Sequence, residues 1–185
     1  MKNSIAMLVA ACLVIACGTV RTLPPRPGGN PEQVDLSGQW LLRGEVAHPG
    51  GTERMIRIPP AGRRDADQPR RVRSSKGSSL AVFIDAGRDL KVTQTAYGLF
   101  FSYDRAVVGE YNFGENRTVR VGPIEAQRVS GWDGAAFIIE TMDERGNVLT
   151  EAWRLDEEGA VLLRHMTITE KDKLTLDTRQ VFDRT

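Results

Sequence analysis

From Asp89 to its end the chain repeats one pattern: short runs of Val, Ile, Leu, Thr and aromatic residues, separated by turn formers every 8 to 12 residues. Leu90, Val92 and Gln94 alternate with Lys91, Thr93 and Thr95, and Leu99, Phe101 and Tyr103 alternate with Phe100, Ser102 and Asp104. A period of two puts the members of each set on opposite faces of a half-buried strand. The last run is the clearest, with Leu174, Leu176, Thr178, Gln180 and Phe182 on one face and Thr175, Asp177, Arg179, Val181 and Asp183 on the other. Asp133-Gly134, Arg145-Gly146-Asn147 and Glu158-Gly159 fit tight hairpin turns, where glycine accepts positive φ without a steric penalty. Short connections favour pairing between neighbours, so the expected fold is all-β, an antiparallel meander closing into a small barrel. One short helix is expected near 78–86, because Leu80, Phe83 and Ile84 keep helical spacing behind Ser78-Ser79 and ahead of Gly87. The same residues also fit a strand.

Asp35-Leu36-Ser37-Gly38-Gln39-Trp40 resembles the Gly-x-Trp opening strand of lipocalin-like barrels. The resemblance implies that Trp40 plugs one end of a barrel running from 35 to 185, with a late arginine, Arg179 or Arg184, packed upon it. Gly131-Trp132-Asp133-Gly134 and the strands after it are similar to the ending of a group of uncharacterised exported bacterial proteins. The Thr-Asp-Tyr motif of true lipocalins is absent.

The N-terminus has three parts: a positive Lys2, an apolar stretch from Ile5 to Ile15, and Ala16 before Cys17. Such a stretch is shorter than the roughly 20 residues needed to span a bilayer. It reads as a cleaved export signal over 1–16. Leu13-Val14-Ile15-Ala16-Cys17 resembles a bacterial lipobox, which implies lipid attachment at Cys17. Cys12 would leave an h-region too short for the same role. Gly18 after the cysteine implies no retention at the inner membrane. A Gram-negative source would therefore place the protein at the outer membrane, facing the periplasm; any other would place it on the extracytoplasmic membrane surface. Residues 17–34 include Pro-Pro and Gly-Gly pairs and read as the lipidated cysteine followed by a flexible tether. No cysteine follows Cys17, so the domain is held by its core without disulfides.

The chain carries 25 Lys and Arg against 24 Asp and Glu, but the balance is local. A loop at 54–76 holds eight basic residues against Asp65 and Asp67. It suits either a solvated insertion or contact with anionic headgroups. Export and the lack of aromatics among these arginines exclude nucleic acid as a partner.

Nucleophile elbows, zincin helices, Cys pairs and phosphate loops are all missing, so neither a metal nor a cofactor is expected, and enzymatic activity is the weaker reading. One constellation stands out. Glu151 shares a face with Leu149, Trp153 and Leu155, and Arg128 shares one with Trp132. Placing His165 inward with Val161 and Leu163 would complete an interior of Trp40, Arg128, Trp132, Glu151, Trp153 and His165, the makeup of a small-molecule pocket. Two functions remain open: a non-enzymatic barrel for a small apolar or amphipathic ligand or an envelope partner, or a hydrolase or isomerase using Glu151 and His165 as an acid/base pair.

Overall fold

The computed structural model describes residues 21–44 and 78–185. Cys17, the signal stretch before it, residues 18–20 and the basic loop at 54–76 lie outside the described residues. Ten strands follow in chain order: β1 (Gly38–Leu42), β2 (Asp89–Gln94), β3 (Gly98–Tyr103), β4 (Val107–Asn112), β5 (Glu115–Val121), β6 (Ile124–Asp133), β7 (Ala136–Asp143), β8 (Val148–Leu155), β9 (Val161–Glu170) and β10 (Lys173–Arg184). They form one antiparallel sheet in the order β4-β3-β2-β1-β10-β9-β8-β7-β6-β5. The meander is a nearly closed barrel, with β1 and β10 joining its two ends in sequence; among the described residues β4 and β5 are the two edges, which share no ladder.

Strand parity builds the core. Trp40, Leu42, Leu90, Val92, Leu99, Phe101, Tyr103, Phe137, Ile139, Trp153, Leu162 and Phe182 all point inward and are buried. Phe101 stacks on Trp153 at 4.6 Å between centroids, and Trp132 meets Phe137 edge-on at 5.3 Å. Each such side chain contributes about 1.5–3 kcal/mol on burial. Together they fill the barrel centre.

Alternating strand directions sort the connections to two ends. At one lie the turns after β2, β4, β6 and β8, including Gly134 at φ +57°. At the other lie the turns after β3, β5, β7 and β9, together with Gly44 and Ser78. Two turns there contain no glycine, and Asp104-Arg105 and Lys171-Asp172 instead hold consecutive positive φ values, 47° and 60°, 49° and 62°. That pairing is the type I′ geometry that matches strand twist.

The helix expected near 78–86 is a single 3-10 turn, Ser79–Phe83, with the Ser78 hydroxyl accepting from the Leu80 amide. Five residues form it because Ile84 has already turned extended. Leu80 and Phe83 pack on Ala126, Leu149 and Ile168, so this turn plugs the second end.

The stretch expected to be a tether is, over residues 21–34, a strap on the barrel wall. Arg21 lies beside Asp172 and Gly146 at the plug end. Leu23 is buried against Val129 and Met142, its amide donating to Gln127 Oε1 at 2.8 Å while Gln127 Nε2 donates back to its carbonyl. Arg26 pairs with Glu140 at 2.9 Å, Pro27 lies over Gly131, and Gly28 lies on the Phe113-Gly114 turn. The strap then reaches Gln94, which binds Asn30 and the Val34 carbonyl, and the chain enters β1.

Candidate functional site

Inside the barrel, β8, β9 and β10 bring three polar side chains together. Arg164 donates Nε to Glu151 Oε2 at 2.9 Å and Nη2 to the same oxygen, while Nη1 donates to Gln180 Oε1 at 3.0 Å and to the Asp85 carbonyl at 2.8 Å. The guanidinium lies 4.8 Å from the Trp153 ring and 5.8 Å from that of Tyr103. Burial works against the Arg164 charge, but the adjacent Glu151 carboxylate outweighs it and holds the group cationic. Removal from water pushes the Tyr103 and Tyr111 hydroxyls well above the ordinary tyrosine range. It also raises the half-buried Asp85, where Glu151 adds to the effect and Arg164 and Arg128 reduce it.

A second cation lies nearby. Arg128 on β6 faces Thr141 across the β6–β7 ladder and donates Nε to its hydroxyl at 3.2 Å. Its guanidinium is 5.3 Å from the Tyr111 ring and 5.7 Å from that of Phe83. Among the described residues no carboxylate comes within ion-pair distance of it. Trp132 and Trp153 each keep a buried indole N–H with no hydrogen-bond partner among the described residues. These are unspent donors beside aromatic walls.

Tyr111 lies on β4, so Arg128 sits below the seam between β4 and β5. Among the described residues, side-chain hydrogen bonds cross that seam at its hairpin end. Ser130 Oγ donates to the Asn112 carbonyl at 2.8 Å, the Asn112 amide donates to Glu115, and Arg117 reaches from β5 to the Glu110 carbonyl at 3.1 Å. Toward the plug end the lips are bare, and Val107, Val108 and Val121 are exposed.

Five of the six pocket residues expected from sequence lie inside the barrel: Trp40, Arg128, Trp132, Glu151 and Trp153. The sixth does not. In the β8–β9 ladder His165 stands opposite Ala152 and Arg164 opposite Trp153, so His165 faces outward. Its Nε2 lies 2.8 Å from Asp177 Oδ1, beside an outer hollow of about 580 Å³ with Arg154 and Arg179. The inward stripe of β9 is instead Leu162, Arg164, Met166 and Ile168. A buried Glu151 needs a cation, and that requirement brings Arg164 inside. It was the available signal for the missed residue. Of the two late arginines, Arg184 covers Trp40 at 4.3 Å, with Nη1 on the Ser37 carbonyl, while Arg179 is exposed opposite His165. Among the described residues no three His, Cys, Asp or Glu side chains gather to hold a metal ion.

No family model matches the chain, and no curated protein does. Among solved structures, a REP1-NXSQ fatty acid transporter is similar at a TM-score of 0.44 and 12% identity, over 82% of this chain and 96% of that one.

Proposed function

We propose that this is a lipid-anchored envelope protein whose barrel binds an amphipathic small molecule with an anionic head. The head rests on Arg128 and the apolar tail lies along the lips of the β4–β5 seam. One observation carries this reading: a half-buried guanidinium between Tyr111 and Phe83, with no carboxylate partner among the described residues, below the one unladdered join of the barrel. Trp153, Phe101, Phe137 and Phe182 fill the centre, so the proposed ligand is assigned to the seam and not to a hollow core. The outward His165 and a Glu151 already spent on Arg164 support a non-enzymatic role. The acid/base pair considered from sequence has lost one member.

The anchor is proposed at Cys17 on the lipobox resemblance, with an outer-membrane, periplasm-facing location if the source is Gram-negative. Mass spectrometry of the N-terminal peptide from native membranes tests it, and an unacylated mature N-terminus would remove it.

Binding is tested by titrating the full chain with dodecanoate and with dodecanol, read by emission of the interior tryptophans. Dodecanoate should bind more tightly, and Arg128→Met should weaken it by about tenfold or more, since hydrogen bonds to charged groups contribute about 1.5–3 kcal/mol. Equal affinity in Arg128→Met and the unaltered chain would refute the assignment.

A further inference from the structure

Exposed apolar side chains are distributed unequally between the two ends. Val82 on the plug, Val107 and Val108 at the start of β4, Val121 at the end of β5 and Leu174 at the start of β10 all belong to the plug end. Val108 is 65% exposed and Leu174 59%. Among the described residues only Tyr97 represents this class at the opposite end. Single exposed apolar residues are ordinary, but a set confined to one rim marks an interaction surface.

The course of the chain says what that surface meets. The strap brings Arg21 to the plug end, beside Asp172 and Gly146. Only residues 18–20 separate Arg21 from Cys17, a reach of roughly 14 Å when fully extended. A lipid on Cys17 therefore holds this end of the barrel, and not the Gly134 end, within roughly 14 Å of the bilayer surface. Leu23, Arg26 and Gly28 fix the strap along the wall, so the barrel cannot swing over on a long leash.

We propose that the plug end is a membrane-seating surface, its rim of Val82, Val107, Val108, Val121 and Leu174 resting at the headgroup–acyl boundary of the bilayer that carries the Cys17 lipid. Exposed Arg105, Arg145, Lys171 and Lys173 stand around this rim and suit anionic headgroups, each contributing about 1 kcal/mol when well placed. Asp89, Asp104, Glu125, Glu144, Glu170 and Asp172 are acids at this end; Asp104 accepts from the Arg88 and Asp89 amides, Glu125 pairs with Arg120 and Asp172 faces Arg21. The same rim includes the open end of the β4–β5 seam. An amphipathic ligand thus enters from the lipid layer without crossing water. This seat rests on the anchor proposed above, and the seam gives it a use.

The domain has no cysteine of its own, so a single fluorophore can be placed at will. The full chain, with Val108→Cys or Tyr97→Cys labelled in turn, is reconstituted into phosphatidylethanolamine–phosphatidylglycerol vesicles containing doxyl-labelled acyl chains. Quenching at position 108 should exceed that at 97 at least about twofold, as burial of a rim at the interface requires; Leu174→Cys should behave like Val108→Cys. Equal quenching, or stronger quenching at 97, overturns the seat. A lipidated chain that floats with vesicles yet leaves 108 unquenched overturns the seat alone and assigns the rim to a protein partner. An unlipidated Cys17→Ser chain that still brings 108 into quenching range keeps the seat and shows that it does not depend on the anchor. A chain lipidated at Cys17 that fails to float overturns both.

Discussion

Arg164 and Glu151 form a buried ion pair in which two guanidinium nitrogens converge on one carboxylate oxygen, with side chains only 1% and 3% exposed. Neither charge would be tolerated alone in this interior. Arg164→Met should therefore destabilise the fold by about 3–5 kcal/mol, and adding Glu151→Leu should recover most of that loss. Urea unfolding of both single variants and the double variant measures the coupling. Additive losses would show that the pair is not a unit.

Asp85 gives the fold a pH dependence of known sign. Burial raises its folded-state pKa above the ordinary aspartate value of 3.8, and Glu151 adds to this. The folded state thus holds this proton more tightly than the unfolded chain does. The resulting stability is fully present below 3.8 and is lost as pH rises through the folded value. Asp85→Asn leaves the backbone carbonyl that binds Arg164 and removes the titration. Its melting temperature relative to the unaltered protein should rise between pH ~4 and pH ~7. A difference that stays constant across that window would exclude this account.

Arg184 covers Trp40 at 4.3 Å and spends Nη1 and Nε on the Ser37 and Gly159 carbonyls. Lysine retains the charge but cannot reproduce the planar fork. Arg184→Lys should cost about 1–2 kcal/mol, the range of a partly desolvated cation–π contact, and shift tryptophan emission to the red. An unchanged spectrum and midpoint would show that core packing and the Leu36 carbonyl, which accepts the Trp40 indole N–H at 3.2 Å, hold Trp40 without Arg184.

A methyl group on Gly131 would lie 2.5 Å from the Pro27 carbonyl oxygen and 2.9 Å from Arg26 Cβ. Contacts that close cannot be absorbed, so Gly131→Ala should lift the strap while the β6–β7 ladder persists. Hydrogen exchange at the Leu23 amide should accelerate by about tenfold, equivalent to about 1.4 kcal/mol of local stability. Protection equal to that of the unaltered chain would mean that the strap is fixed elsewhere.

Strand alternation made the barrel legible: Glu151 shares a face with Leu149 and Trp153, two residues to either side, and Arg128 shares one with Trp132, four residues on. The parity of β9 was not legible in this way. His165 attracted attention as a functional residue type, whereas Arg164 joins Leu162 and Met166 on the true inward stripe, and only the register opposite Trp153 fixes this. The strap was hidden for a different reason: its Pro and Gly content reads as open chain, while Gln127, which holds Leu23, is 104 residues away. The seam was equally silent, since alternation shows which residues form strands but not whether the last two edges meet.

That unmet join gives the barrel a preferred place to come apart. β4 and β5 each turn one row of amides and carbonyls toward the gap, and Val107 and Val108 lie exposed on one of these rows. Left uncovered, such an edge is a template for strand addition by a second molecule. The purified protein should therefore self-associate through β4 before it unfolds, the cost of keeping one side of the barrel unzipped.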